Sequence, residues 1–219
     1  MSFADLSGLP VIHGRVVTPF TGLWHADLEL AIDDGQAQPT GLQTLNLGGS
    51  PWICTPIRSI DFAGRRGTRV VAGAGGWRLS IPAKQYGDAP SLVAAIVLDA
   101  AMACGELPPN TAGAQSYVPA YDRPAGVASL VLQQLFDRVW WANPSGIVQT
   151  TQRASVPIAS EFFILEVSGP EGAYEIATEF PNDWVPNNTF AGPTGSGIIS
   201  RVEHVIEPDK LRTIAMVKR

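Results

Sequence analysis

His25, Asp27 and Glu29 alternate along one predicted strand, and imidazole and carboxylate side chains are common metal ligands. Alternate side chains of a straight strand stand roughly 7 Å apart, too far for three of them to close on one ion. The trio is therefore expected to form a solvated strand face. Glycoside hydrolysis needs two carboxyl groups flanking a cleft. Glu161, Glu166, Glu175, Glu179 and Asp183 supply the groups, but their spacing alone converges no pair. The run Gly192-Pro193-Thr194-Gly195-Ser196-Gly197 has the glycines of a phosphate loop without its lysine or following helix, and reads as a flexible turn. No Gly-x-Ser-x-Gly elbow occurs, and the three histidines fall in predicted strands or at their edges. Trp140-Trp141 can stack on a sugar or anchor a core. This reading assigns no catalytic residue, no metal ligand and no cofactor.

The elements that carry these residues are mostly short strands. Hydrophobic residues make up 45% of the 219-residue chain and charged residues 16%, with 22 glycines and 18 prolines, a balance that suits a turn-rich β protein. So few charges in a chain long enough for a sizeable core predict a surface partly covered by partners. The net charge of −5 offers no basic field for nucleic acid or anionic lipid. Cys54 and Cys104 have no metal or redox spacing and are expected to be buried, reduced thiols. No basic-then-apolar signal pattern opens the chain, which predicts folding in a cytoplasm, where the sequon Asn187-Asn188-Thr189 carries no meaning.

Helical character is confined to about residues 89–151. Asp88 and Pro90 predict a capped start, Leu92 to Ala103 is apolar on every side except Asp99, and Gly105 supplies the stop. At roughly 15 residues this helix is too short for a bilayer, which takes about 20, and reads as a core helix buried on more than one face. A second helix of about four turns is expected after Asp122-Arg123-Pro124, with Val127, Val131 and Leu135 along its core stripe. It leads through Trp140-Trp141 to a turn at Asn143-Pro144-Ser145-Gly146.

Before this insert, Val11 to Leu30 predicts two strands, with Trp24, Ala26, Leu28 and Leu30 facing one way. Asp33-Asp34-Gly35 predicts a hairpin turn. Strands are expected over 42–47, 52–62, 68–72 and 77–81, spaced as in a small closed barrel. After the insert, strands are expected over 162–167, 173–180, 198–206 and 211–217, with 181–197 an extended loop.

Three stretches together resemble the central hub proteins of phage tails and baseplates. They are Gly14 to Leu30, the arginine-proline-led helix with its tryptophan and Gly-Ile-Val strand, and Ser200 to Ile206 with Leu211-Arg212-Thr213. The resemblance implies a mainly β fold (α+β), two small β-barrel-like domains with an inserted α+β domain carrying two helices, divided at 1–86, 87–153 and 154–219. It further implies a non-enzymatic homotrimer in the tail tip or baseplate of a virion, synthesised in the host cytoplasm. Such a hub joins the tail tube or distal tail protein and the tape-measure protein to the central tip, with DNA only as passing cargo and no membrane segment. Two other readings are a carbohydrate- or receptor-binding β module, using Trp140, Trp141 or Trp184, and a tail-associated cell-wall hydrolase. Loop composition marks Trp184, Asn187 and Phe190, with Tyr117 and Tyr121 in the 108–121 connection, as an interaction surface.

Overall fold

Alternation of apolar and polar residues dictates the first unit. The computed structural model describes residues 3–33, 35–87, 90–168, 172–192 and 195–218. Strands β1 (Ala4–Leu6), β2 (Leu9–Pro19), β3 (His25–Ala31), β4 (Gln43–Leu47), β5 (Ser50–Phe62) and β6 (Arg65–Ala72) pair in the cyclic order β1-β4-β5-β6-β3-β2-β1, a closed six-stranded barrel. Closure pairs the strands around the barrel, while Thr55–Phe62 of β5 run on with β6 as their one strand partner. Ala26, Leu28 and Leu30 of β3 point into its core beside Trp24 and Trp52, while Asp27 faces outward. The expected hairpin at residues 33–35 does not form: β3 pairs with β6 and β2, and β4 with β1 and β5. Asp34 itself lies outside the described residues. The loop after β3 is instead pinned by the buried Arg66 guanidinium, which grips Asp61 and donates to the carbonyls of Gln36 and Ala37 at 2.6 and 2.7 Å.

The middle unit holds both helices. Helix α1 (Val93–Cys104) ends at Gly105, whose φ of +69° places it in the left-handed stop that the sequence predicts. Its apolar surface is not wholly buried: Val93, Ile96, Val97, Ala100, Ala101 and Cys104 pack inward, but Leu98 and Met102 face solvent. The expected Asp88 cap lies outside the described residues, and Leu92 occupies the cap position. Helix α2 (Ser129–Phe136) is only eight residues long. Val127, which the sequence assigns to its core stripe, is extended instead: Gly126–Val127 pair with Ser80–Ile81, and the expected cap Asp122 with Arg123 pairs with Lys84–Gln85. Two constraints explain this. Gly126 sits at φ +156°, and Arg123 must reach the Asp99 carboxylate at 2.8 Å. The same pairings draw Trp77 and Ile81 into the helical core, so 77–81 is no barrel strand; residues 76–78 are a short 3-10 turn.

Strands β7 (Phe162–Ser168), β8 (Ala173–Thr178), β9 (Thr189–Gly192), β10 (Gly195–Ile206) and β11 (Leu211–Val217) form the second barrel-like unit, ordered β7-β8-β11-β10-β9. Part of the expected loop 181–197 is thus the β9–β10 hairpin. Its core gathers Ile176, Trp184, Phe190, Ile199, Val202 and Ala215. Strand β10 pairs with β9 through residues 195–198 and then with β2 of the first barrel through 201–206, so all eleven long strands are one continuous sheet. The protein is mainly β, with two barrel-like units and an α+β insert carrying two helices, the class that the sequence predicts. Cys54 and Cys104 are buried free thiols, and burial pushes them up to about 12 and about 11.

The first barrel is fastened to the insert by backbone touching backbone. A Cβ on Gly146, at φ +74°, would lie 2.5 Å from the Gly73 amide nitrogen and 2.9 Å from the Ile53 carbonyl. Gly49, at φ +82°, has open space around it. Gly49→Ala is therefore expected to cost about 1 kcal/mol of left-handed strain. Gly146→Ala, which must also part the two turns, should cost about 1–3 kcal/mol more in urea denaturation. Equal losses would show that the close approach contributes nothing.

Candidate interaction surfaces

The residues singled out for their chemistry are dispersed by the fold. On the outer face of the first barrel, Asp27 takes a two-pronged grip from Arg69 at 2.6 and 2.8 Å, and Glu29 pairs with Arg65. The hydrogen bond from Arg69 holds the Asp27 carboxyl below the usual carboxylate range. Burial lowers the neighbouring His25. The two carboxylates are thus occupied by cross-strand arginines, and no cluster of three metal-ligating side chains occurs among the described residues.

Of the candidate carboxylates, Glu166 and Glu175 face each other in the β7–β8 register, with Arg212 3.6 Å from Glu175. Glu161 and Glu179 line a groove of about 680 Å³ together with Phe3, Phe163, Phe180 and Leu211. This groove lies beside β7, whose Phe163, Leu165 and Val167 are 71%, 50% and 49% exposed, with a register shift between Ile164 and Glu166. β7 ends the ladder of the second unit, and its inward residues Phe162 and Ile164 pack on that core. A terminal strand rich in exposed apolar residues, beside a groove of mixed apolar and charged lining, is a contact-prone feature of the described surface.

The loop aromatics fare differently. Trp184 and Phe190 are core residues, edge-to-face or tilted against Phe162 and each other, and Asn187 is buried with its side-chain amide donating to the Arg153 carbonyl at 2.7 Å. They are buried and shape the 181–192 loop from within. Sequence pattern places them in a loop, whereas the β9–β10 hairpin, invisible in a glycine-rich run, folds that loop over a core. Tyr117 is 67% exposed and remains available for contact. Tyr121 packs beside Tyr86 and donates to Gln134 at 2.7 Å. Trp140 is buried among the helices, and Trp141 lies against the Arg153 guanidinium. No helix among the described residues is long and apolar enough to cross a membrane.

No protein-family model matches the chain, and no curated protein matches it in sequence. Solved structures do share its fold. A tail protein from Neisseria meningitidis MC58 superposes with a TM-score of 0.64 at 10% identity, over 99% of this chain and 96% of that one. The 43 kDa tail protein of prophage MuSo2 from Shewanella oneidensis gives 0.60 at 11% identity, over 99% and 97%. An E. coli component of the type VI secretion system, described as structurally similar to T4 bacteriophage tail proteins gp27 and gp5, gives 0.61 at 12% identity, over 99% and 77%. The chain has the fold of phage-tail and tail-related proteins, in keeping with its sequence resemblance.

Where the two barrels meet, His204 is fully buried, with Nδ1 3.0 Å from the Thr213 hydroxyl and its ring edge-on to Trp52. Burial lowers its pKa to about 4. The unfolded chain titrates near 6.5, so below that pH it takes up a proton that the folded chain refuses. The contribution is fully present above about pH 6.5 and is lost as pH falls toward 4, on the order of 3 kcal/mol in total. Denaturant titrations at pH 7 and pH 4.5 should therefore show a smaller loss of stability in His204→Gln than in the parent. Parallel losses would contradict a neutral buried imidazole.

Proposed function

We propose that this chain is the hub of a phage tail tip or baseplate, a non-enzymatic structural subunit that assembles as a homotrimer around the tail axis. The observation that carries the reading is a shared fold with tail proteins over nearly the whole chain, both barrel-like units and the insert included. In this role the subunit joins the tail tube or distal tail protein and the tape-measure protein above to the central tip below, and DNA passes through as cargo. The net charge of −5 suits a conduit that does not retain DNA. Low overall charge and the exposed apolar residues of β7 suit a subunit covered by neighbours. Tyr117 and Tyr121, in the 108–121 connection, form a second contact region.

The three hydrophobic clusters are the cores of three units, with limits near 1–86, 87–153 and 154–219. A glycan-binding role is less well supported, because Trp140 and Trp184 lie inside and Trp141 is covered by Arg153.

Light scattering on the purified chain should give a mass of about 70 kDa, three copies of 23.3 kDa. Phe163→Glu, placed on an exposed position, should leave the fold intact and shift that mass toward the monomer. A monomer at micromolar concentration, in the presence of no other tail protein, would argue against the trimer.

A further inference from the structure

Three buried arginines occur among the described residues, and two of them are neutralised: Arg66 by Asp61 and Arg123 by Asp99. Arg153 is the exception. It is 7% exposed, yet no carboxylate among the described residues pairs with it. Its Nη2 donates to the Pro19 carbonyl at 3.0 Å, its Cζ lies 4.1 Å from the Trp141 ring centre, and its Nε has no acceptor. Burial pulls its pKa down to about 9, as expected for a cation held without a counter-charge.

Arg153 lines a cavity of about 320 Å³ at the meeting point of the first barrel, the insert and the 181–188 loop. Trp24, Trp52 and Trp141 form its aromatic walls. The Thr18 hydroxyl, also on the cavity, is buried and makes no hydrogen bond among the described residues. Asn182 and Asn188 line the same space, with Asn182 accepting from the Trp52 indole N–H at 2.7 Å. A buried cation without an anion, a partnerless hydroxyl and rigid aromatic walls are the parts of a small, mostly apolar ligand site with a few placed polar groups. Carboxylate is the anion whose planar geometry an arginine fork matches, and apolar walls favour a carboxylate carried on an apolar body.

We propose that this cavity binds a carboxylate-bearing ligand, with Arg153 as its counter-charge, Thr18 as a hydrogen-bond partner and the three tryptophans around its apolar part. The carboxylate belongs either to a free small acid or to the C-terminus of a neighbouring polypeptide. The inference stands on this cavity alone and does not require the tail assignment.

The test titrates the full chain with sodium benzoate, with a short peptide ending in a free phenylalanine carboxylate, with the same peptide amidated, and with inorganic phosphate. Tryptophan emission and the thermal midpoint are read together. A saturable emission change with a raised midpoint is expected for benzoate or the free-acid peptide, and the amidated peptide should be inert. Response to benzoate alone assigns the site to a small acid, and response to the peptide assigns it to a chain terminus. Arg153→Met keeps the stem against Trp141 and should abolish the response. Thr18→Val is a second variant, which should fold and bind at least three-fold more weakly. No saturable response to either carboxylate, an equal response in Arg153→Met, an unchanged affinity in Thr18→Val, or a response to phosphate matching that to benzoate would each overturn the proposal.

Discussion

Strand β10 belongs to the second, barrel-like unit and pairs with the wall of the first barrel at once, and the relation of every other part follows from it. Residues 195–198 pair with β9, and residues 201–206 pair with β2, while β11 pairs with the strand from Ile199 to Ile206. Between the two halves the register with β11 shifts at Ser200, whose hydroxyl donates to the Met216 carbonyl at 3.0 Å. An extra residue of this kind bends a strand and sharpens its twist, which lets β10 leave one wall and join another. Its side chains are divided accordingly: Ile199 and Val202 enter the second core, Ile206 the first. A one-residue slip would turn each of them toward the wrong face, so two cores fix one register. Glu203, almost fully buried on the same strand, is held by Arg15 across the joint and by Arg201 beside it.

The insert is attached by a different device. Glu106, just past the end of α1, accepts from the amides of Ala74 at 2.6 Å, Gly76 at 2.8 Å and Leu107 at 2.9 Å. Hydrogen bonds to an ionised acceptor are stronger than neutral ones, and a buried carboxylate needs several of them. The loop leaving β6 is thereby tied to the end of α1, while Trp24 of the barrel donates its indole N–H to the Asn143 carbonyl at 2.9 Å. Trp52 plays the matching part toward the second unit through Asn182. Two tryptophans packed edge-to-face at 4.9 Å therefore connect three cores. Apolar area holds each core, and a small number of directed hydrogen bonds orient the cores relative to one another.

Much of this was legible in the sequence because strand periodicity is local. The inward set of β3, the β2–β3 turn and the last two strands follow from alternation and turn residues alone. What local pattern missed was decided by partners distant in sequence. Val127 has helical spacing, yet it pairs with Ser80 because Arg123 is held by Asp99. Trp184 sits in a run of turn residues, yet Phe162 and Phe190 close over it. Residues 33–35 carry hairpin composition, yet β4 completes the barrel with β1. Arg153 carries no signal in the sequence at all, since only the tertiary fold reveals that no carboxylate among the described residues pairs with it.

The proposed hub role puts this chain at the end of a phage tail, and the direct measurement is cryo-electron microscopy of tails purified from the source of the chain. The expected density places three copies in a ring at the tail tip, each contributing both barrel-like units to the wall around the central channel. Tails that lack the chain, or that carry it as peripheral copies away from the axis, would contradict the account.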